Sequence, residues 1–389
     1  MPPVNTMHIA INAHLLAHTR NYRRAGVSNY TEQLILHLAQ IDQANTYTIF
    51  TTRGLKQASW SLPSNFHVRS SLLPTINPRV RVPWEQFLAP ALLRLYGADV
   101  YHGVLNVMPL AAPIPSIVTI HDLSPFLFPQ TFRRVNRTYL RWAVRVACRN
   151  AAHLIAVSEF TKSELIRWMH VPAERITVTY NGVNERFAPA TPAMLQAFRQ
   201  RVGLPERFIL FVGTLEPRKN LPTLLEAYAR IARDTDAALI IGGGKGWLYD
   251  SIFAKVEQLQ LGERVRFAGF IDDQDLPLWY AAATVFILPS LYEGFGIPLL
   301  EAMACGTPVV TTTSSSLPEV VGDAGLMVPP TDVDAMADAL LRLLNDATLR
   351  AELRERGFVQ ARRFSWTRMA ERTLDIYRTS VAHSAVQGT

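Results

Sequence analysis

Pro-Ser-Leu-Tyr-Glu-Gly-Phe-Gly-Ile-Pro-Leu-Leu-Glu-Ala-Met-Ala-Cys-Gly-Thr-Pro-Val-Val, residues 289–310, decides the reading of this chain. Ahead of it, Thr284-Val285-Phe286-Ile287-Leu288 is a short β-branched apolar run that ends at Pro289, the pattern of a buried strand. Glu293-Gly294-Phe295-Gly296 then predicts a loop, and Pro298 stands where a first helical residue belongs. A helix from Leu299 to Cys305 stops at Gly306, with Pro308 beyond it. Strand, glycine loop and helix start together make an anion site. Backbone N–H groups of Gly294 to Ile297 would point at a phosphate, aided by the helix dipole. Glu293 in the loop and Glu301 one turn into the helix flank that site. Ionised carboxylates only accept hydrogen bonds, so the pair suits the hydroxyls of a sugar and a ribose. A phosphate cradle between two hydroxyl readers describes a nucleotide-sugar site.

On these residues the chain resembles the retaining glycosyltransferases of family four, whose glutamate pair has seven residues between its members, as Glu293 and Glu301 do. The likeness continues through Gly306-Thr-Pro-Val-Val310 and Leu317-Pro-Glu-Val-Val-Gly-Asp-Ala-Gly325. It implies an α/β fold of the GT-B kind, two Rossmann-like domains facing each other across a cleft. The implied division is an acceptor-binding domain over residues 1–186, a donor domain over 187–365, and a helix within 366–389 that returns to the first domain. In the family the first glutamate, here Glu293, holds hydroxyls of the donor sugar, and the second, Glu301, holds the ribose. The resemblance implies transfer of a hexose from a nucleoside diphosphate sugar to a hydroxyl of a glycan or lipid-linked acceptor, with an α-linkage, in envelope polysaccharide or glycolipid synthesis. No metal and no cofactor are expected. A sugar-nucleotide epimerase or phosphorylase of the same architecture stays open as an alternative, and so does a non-catalytic nucleotide-sugar-binding subunit.

Gly213-Thr-Leu-Glu-Pro-Arg-Lys-Asn220 follows a strand-like run, which sets it at the carboxyl end of a sheet, where open α/β folds bind ligands. Arg218 and Lys219 can offer fixed positive charge to a departing diphosphate, lowering the barrier to its departure. The resemblance gives this role to Lys219 and a nearby arginine. Many members carry arginine directly after the glycine, where this chain has Thr214, and Arg218 is the residue expected to compensate. The general look of this group suggests mannose from a guanosine donor, and the donor expected is a GDP- or UDP-linked sugar. Thr119-Ile-His121-Asp122 ends another strand. A histidine there is usually structural. The resemblance sets His121 beside the sugar's reacting carbon, where its side chain or backbone carbonyl stabilises developing positive charge, and leaves Asp122 to orient the loop. No carboxylate nucleophile is evident beside His121, so the resemblance implies same-face attack with the leaving phosphate as base. Ala25-Gly26-Val27-Ser28-Asn29-Tyr30 precedes a helix over Thr31 to Gln40. Family members often read Gly-Gly-Val here, and the resemblance implies that Gly26 is the glycine that lets backbone approach a phosphate, while Ala25 departs from the pattern; a glycine that only starts the helix is the alternative.

Outward from these motifs, both halves alternate apolar strand-like runs with helical patterns, the mark of parallel α/β sheets. Strands are predicted over residues 8–12, 46–50, 99–101, 116–120 and 153–157, then 208–213, 238–242, 265–267, 284–288 and 307–311. The proline-rich and turn-rich stretch from Asn181 to Pro205 holds the boundary, and a last helix lies around Trp366 to Tyr377. At 389 residues and 49% apolar, the chain has material for two domains. Charge is lopsided: residues 1–186 carry 19 Lys/Arg against 9 Asp/Glu (+10), and the rest 20 against 23 (−3), summing to +7. Much of the excess lies in Arg133, Arg137, Arg141, Arg145 and Arg149, one face of a predicted helix. That face is either a solvated flank or a peripheral contact with anionic lipid at the inner membrane surface. Nucleic acid is not expected, since no nucleic-acid module accompanies the arginines.

Met1-Pro-Pro-Val-Asn lacks the basic start and apolar block of a secretory signal, and Cys148 and Cys305 have no metal spacing, so a reduced cytoplasmic protein is expected. Gly242-Gly-Gly-Lys-Gly246 lacks the leading glycine and following hydroxyl of a P-loop. His14 and His18 lack a third ligand. Thr161-Lys-Ser-Glu164 has the spacing of a capping box, and Asp272 and Asp273 suit caps for a helix near Leu276.

Overall fold

Each half of the chain gathers its apolar runs into one wholly parallel sheet. The computed structural model describes residues 6–16, 26–54, 60–131, 134–244 and 250–387. Seven strands make the first sheet: β1 (His8–Ala13), β2 (Thr46–Thr51), β3 (Phe66–Ser70), β4 (Val100–Gly103), β5 (Ser116–Ile120), β6 (His153–Ala156) and β7 (Ile176–Val178). Their spatial order is β3-β2-β1-β4-β5-β6-β7. Six make the second: β8 (Phe208–Val212), β9 (Ala238–Gly242), β10 (Val265–Gly269), β11 (Val285–Leu288), β12 (Val309–Thr312) and β13 (Gly325–Val328), ordered β10-β9-β8-β11-β12-β13. In both sheets the first strand lies centrally, the chain builds to one edge, and the fourth strand returns to the other side. The order therefore reverses between β1 and β4 and again between β8 and β11, the topological switch points of doubly wound folds.

The ten predicted strands are present, β5 and β9 with the predicted ends and the others with shifted ends, and three further strands are not predicted. These are β3, β7 and β13, and all three are edge strands. An edge strand covers one neighbour, so its apolar signal is weak: in β3 only Phe66 is buried, and β7 is three residues long. Central β1, β4, β5, β9, β11 and β12 are buried almost throughout, which is why their β-branched runs stand out in the sequence.

The chain passes between two compact units at Asn181–Gly182. Described residues up to Asn181 and from Trp366 onward form the first unit, and Gly182–Ser365 form the second. The last helix, Trp366–Gln387, packs along the helix Val27–Ile41 within the first unit, with the Trp366 and Tyr30 rings 6.4 Å apart. Two local predictions are corrected. Ser158 caps the helix Glu159–Met169, its hydroxyl accepting the Thr161 N–H, so Thr161 sits inside the helix rather than opening it. Asp275 occupies the N-terminal cap position of Leu276–Ala282. The Asp272 carboxylate takes the N–H of Gln274 in the turn before that helix, and Asp273 pairs with Arg186.

One close approach needs glycine outright. Gly243 follows β9 with φ 141°, and a Cβ built there would lie 1.8 Å from the backbone oxygen of Gly213 after β8. The loops leaving β8 and β9 can thus touch backbone to backbone. Gly243→Ala should lower unfolding free energy by more than about 3 kcal/mol, combining a clash with a disfavoured backbone angle; a urea midpoint equal to that of the parent chain would contradict this.

Candidate functional site

The loops leaving β8 and β11 start from adjacent strands at the second switch point, so Gly213–Asn220 and Pro289–Gly296 run side by side. They are stitched together. The Leu291 N–H donates to the Arg218 carbonyl at 2.9 Å, and the Asn220 amide donates to the carbonyls of Pro289 (3.1 Å) and Pro330 (2.7 Å). Asn220 holds φ 58°, a left-handed conformation that asparagine tolerates better than most residues, and it opens the helix Leu221–Ile231.

Where the loops meet, Glu293 gathers the charge. Lys219 Nζ lies 2.5 Å from its Oε1, Arg218 Nη1 lies 2.9 Å from its Oε2, and the Ser290 hydroxyl donates to Oε1 at 2.6 Å. The backbone N–H of Glu293 donates to Ser315 Oγ at 2.8 Å. Burial alone would raise the pKa of this carboxyl. The nearby Lys219 and Arg218 charges and the Lys219 and Ser290 hydrogen bonds overcome that and hold it down at about 2. Arg218 is further fixed by Glu216 Oε1 (2.7 Å) and by the Tyr292 carbonyl (2.7 Å). Lys219 is the more adaptable of the two cations, an ammonium with three donors of which Glu293 takes one. Thr214 is partly exposed in the same loop.

Glu301 sits differently. It lies on the helix Ile297–Ala304, capped by Gly296 at φ 112°; Ile297 is the first helical residue and Pro298 the second, one place later than predicted. A Cβ on Gly296 would come within 2.9 Å of Leu317 Cδ2. The loop from Glu293 to Gly296 is buried. The Ser316 hydroxyl lies 3.0 and 2.8 Å from the carbonyls of Glu293 and Phe295, and the Phe295 ring packs against Phe364. One Glu301 oxygen accepts the Tyr280 hydroxyl at 2.9 Å. Among the described residues no cation is in hydrogen-bond contact with it, and burial raises this carboxyl to about 7, the Tyr280 hydrogen bond and the Arg186 charge opposing it. Sequence reasoning missed Ser290, Ser315, Ser316 and Tyr280 as supports. Ser290 lies in the opening motif three residues before Glu293; the others come from distant segments and leave no local signal.

In the first unit His121 follows β5. Its Nε2 donates to the Val104 carbonyl at 2.8 Å, its backbone N–H donates to Asn106 Oδ1 at 2.9 Å, and its ring stands edge-on to Tyr30 at 4.8 Å. Burial lowers its pKa, with the Val104 bond and the Asp122 charge opposing, so the ring is neutral at pH 7. The Asp122 carboxylate is engaged by the N–H and hydroxyl of Ser124 and so holds the turn. Gly26, at φ 65°, caps the helix Val27–Ile41, which starts four residues before the predicted Thr31. Ala25, His18, Arg133, Lys245 and Gly246 lie outside the described residues.

Comparison with known proteins places these loops in a family. The profile of group 1 glycosyl transferases matches residues 196–360, and that of glycosyltransferase family 4 matches residues 24–187. An O-antigen chain mannosyltransferase B of Escherichia coli is 38% identical over 289 residues, covering 74% of this chain and 76% of that protein. The chain is a family 4, group 1 glycosyltransferase. Sucrose-phosphate synthase of Thermosynechococcus elongatus superposes with a TM-score of 0.78 at 25% identity, covering 97% of this chain and all of the other. HepE of Anabaena, solved in complex with UDP-glucose, superposes with a TM-score of 0.74 at 20% identity over 96% of this chain and 100% of its own. The fold is GT-B.

The glycosyltransferase uses part of its arginine ladder internally. On the helix Arg134–Asn150, Arg141 Nε donates to the Pro125 carbonyl at 2.7 Å, and Arg137 Nη1 reaches the Pro129 carbonyl at 3.4 Å. Arg141 and Arg145 both lie over the Phe126 ring, at 5.5 and 5.2 Å. Arg145 and Arg149 are exposed. Among the described residues no helix is long and apolar enough to cross a membrane, and no three His, Cys, Asp or Glu side chains are grouped to hold a metal.

The Glu293 cluster makes a stability prediction. Its carboxyl titrates near 2 when folded against about 4.5 unfolded, so its contribution is present above about pH 4.5 and is lost as pH falls toward 2. Glu293→Gln leaves Lys219 uncompensated and Arg218 with Glu216 alone, and should cost about 3 kcal/mol at pH 7. Urea titrations should show that difference shrinking at pH 3, and a pH-independent difference would refute the assignment.

Proposed function

We propose that this glycosyltransferase moves a hexose, mannose by preference, from a GDP- or UDP-linked donor to a hydroxyl of a glycan or lipid-linked acceptor in envelope polysaccharide synthesis, with retention at the anomeric carbon. The carrying observation is the Lys219–Glu293–Arg218 cluster at the switch point of the second sheet, with Glu301 on the adjoining helix. The mannosyl preference draws on the name of the Escherichia coli relative, and HepE supports a nucleoside diphosphate sugar as the donor class.

The steps follow from charge. As the bond from the anomeric carbon to the diphosphate breaks, negative charge collects on the leaving oxygens. Lys219 and Arg218, preorganised by Glu293, face that charge, with the backbone of Gly294 to Ile297 and the loop at Thr214 completing the diphosphate contacts. Glu293 holds hydroxyls of the sugar and Glu301 those of the ribose. The acceptor oxygen bonds to the carbon on the face that the diphosphate leaves, and its proton passes to a leaving phosphate oxygen. A neutral His121 adds no positive charge beside the oxocarbenium-like carbon, and its carbonyl dipole or ring nitrogen stabilises it. Gly26 admits the donor's phosphates near the first helix. These fixed cations and N–H groups do the work that a metal performs in other transferases.

Lys219→Ala should cut turnover by on the order of a hundredfold, as losing one preorganised donor does elsewhere; wild-type turnover would end the proposal. Retention is checked by the anomeric configuration of the product in NMR, where an inverted linkage would exclude this mechanism. A thermal-shift panel of GDP, UDP and ADP identifies the base, since a ligand at a hundred times its dissociation constant adds about 2.7 kcal/mol.

Glu301 adds a pH signature. Ribose hydroxyls donate to the ionised carboxylate and favour it, so binding releases a proton from a group titrating at about 7. Affinity for the nucleoside alone should rise as pH increases from 6 to 8 and then level off. Calorimetry on Glu301→Gln should give a weaker and flat profile; an unchanged affinity would remove the ribose assignment.

A further inference from the structure

Behind His121 runs a chain of hydrogen bonds that the reaction as described does not use. The Tyr377 hydroxyl, on the helix Trp366–Gln387, lies 2.6 Å from His102 Nδ1 on β4. His102 Nε2 lies 2.8 Å from Thr119 Oγ1 on β5, and Thr119 Oγ1 lies 3.0 Å from the Tyr30 hydroxyl on the helix Val27–Ile41. All four side chains are fully buried. A neutral imidazole donates from one nitrogen and accepts at the other, so His102 can relay a single direction of donation along the whole chain. Burial, and secondarily His121, lower the His102 pKa to about 3, which keeps it in that neutral form.

Each restraint on His121 leads back to this chain. The Val104 carbonyl that receives His121 Nε2 stands two residues beyond His102, in a tight reversal where a Cβ on Gly103 would lie 2.0 Å from the Val107 carbonyl oxygen. Asn106, which receives the His121 backbone N–H, donates its own N–H to the Thr119 carbonyl at 3.0 Å and holds φ 55° to do so. The third restraint is the Tyr30 ring, edge-on to the imidazole at 87°. Strand ends and ring are thus held by one buried network that starts on the last helix.

We propose that Tyr377, His102, Thr119 and Tyr30 are positioning residues for His121, so that the carboxy-terminal helix takes part in catalysis by fixing the orientation of that imidazole. The inference rests on the reading of His121 as the group beside the donor's reacting carbon. Thr119→Val removes the node at nearly constant shape, and Tyr377→Phe and Tyr30→Phe each remove one hydroxyl while keeping the ring. Expected are a fall in kcat of about tenfold or more with donor KM within about twofold, as for a misplaced reacting group. In spectra of ¹⁵N-histidine protein the His121 ring signals should shift or double as a second orientation becomes populated. Wild-type kcat below the melting temperature, or lower kcat with unmoved His121 signals, would overturn the inference, because a purely structural network changes stability alone. His121→Ala separates the two levels. If it retains full turnover, the reading of His121 fails and the inference with it; if it loses turnover while the three chain variants do not, only the inference fails.

Discussion

A buried carboxylate between two cations organises the second unit. Glu293, Lys219 and Arg218 come from loops after two different strands, and none of the three could be buried alone without a heavy desolvation cost. With Glu216, which also pairs with Arg218, two carboxylates balance the two cations, and the arrangement sets the spacing of the loops. The same bonds hold the cations in a fixed geometry in advance of any ligand, which is the condition for electrostatic stabilisation without reorganisation. Glu301, eight positions along the sequence, lies on the adjoining helix with a phenol as its hydrogen-bond partner, and its proton affinity moves the opposite way. Two glutamates of one motif are thereby sorted into a permanent anion and a group poised near neutrality, a division that environment alone creates.

The first unit uses a different device. His14, His102 and His121 are all held neutral by burial, and each uses at least one ring nitrogen as an oriented hydrogen-bonding group rather than as a charge. His14 bonds Thr75 through Nδ1 at 2.7 Å and stands edge-on to Trp84 at 4.0 Å, which ties it into the packing of the first unit. Part of the surplus of positive charge in this half of the chain is engaged internally, while Arg145 and Arg149 stay exposed. Arg137 and Arg141 spend hydrogen bonds on the carbonyls of Pro129 and Pro125, and Phe126 lies under two guanidinium groups.

The central strands and the strand–loop–helix around Glu293 were legible because continuous burial forces continuous apolar sequence, and because glycine and proline mark where backbone must turn. Edge strands β3, β7 and β13 were not, since half of their surface needs no apolar side chain. Capping was legible in type but not in place. Thr161 and Glu164 have the right spacing, yet the chain direction before Ser158 makes that residue the first to offer an oxygen to the helix. The carboxylates at Asp272 and Asp273 were similarly claimed by neighbours, one by a turn and one by Arg186.

By itself the sequence determined the family, the α/β architecture and the identity of the charged residues at the second switch point, because these follow from local pattern and residue chemistry. It could not determine that Arg218 and Lys219 both close on Glu293, that Glu301 is left with a tyrosine, or that Tyr377 reaches His102 from 275 positions away. Those outcomes depend on which strands become neighbours and which helix returns to the first sheet. Only then do side chains distant in sequence share one desolvated volume, where a hydrogen bond or an opposite charge changes what each of them can do.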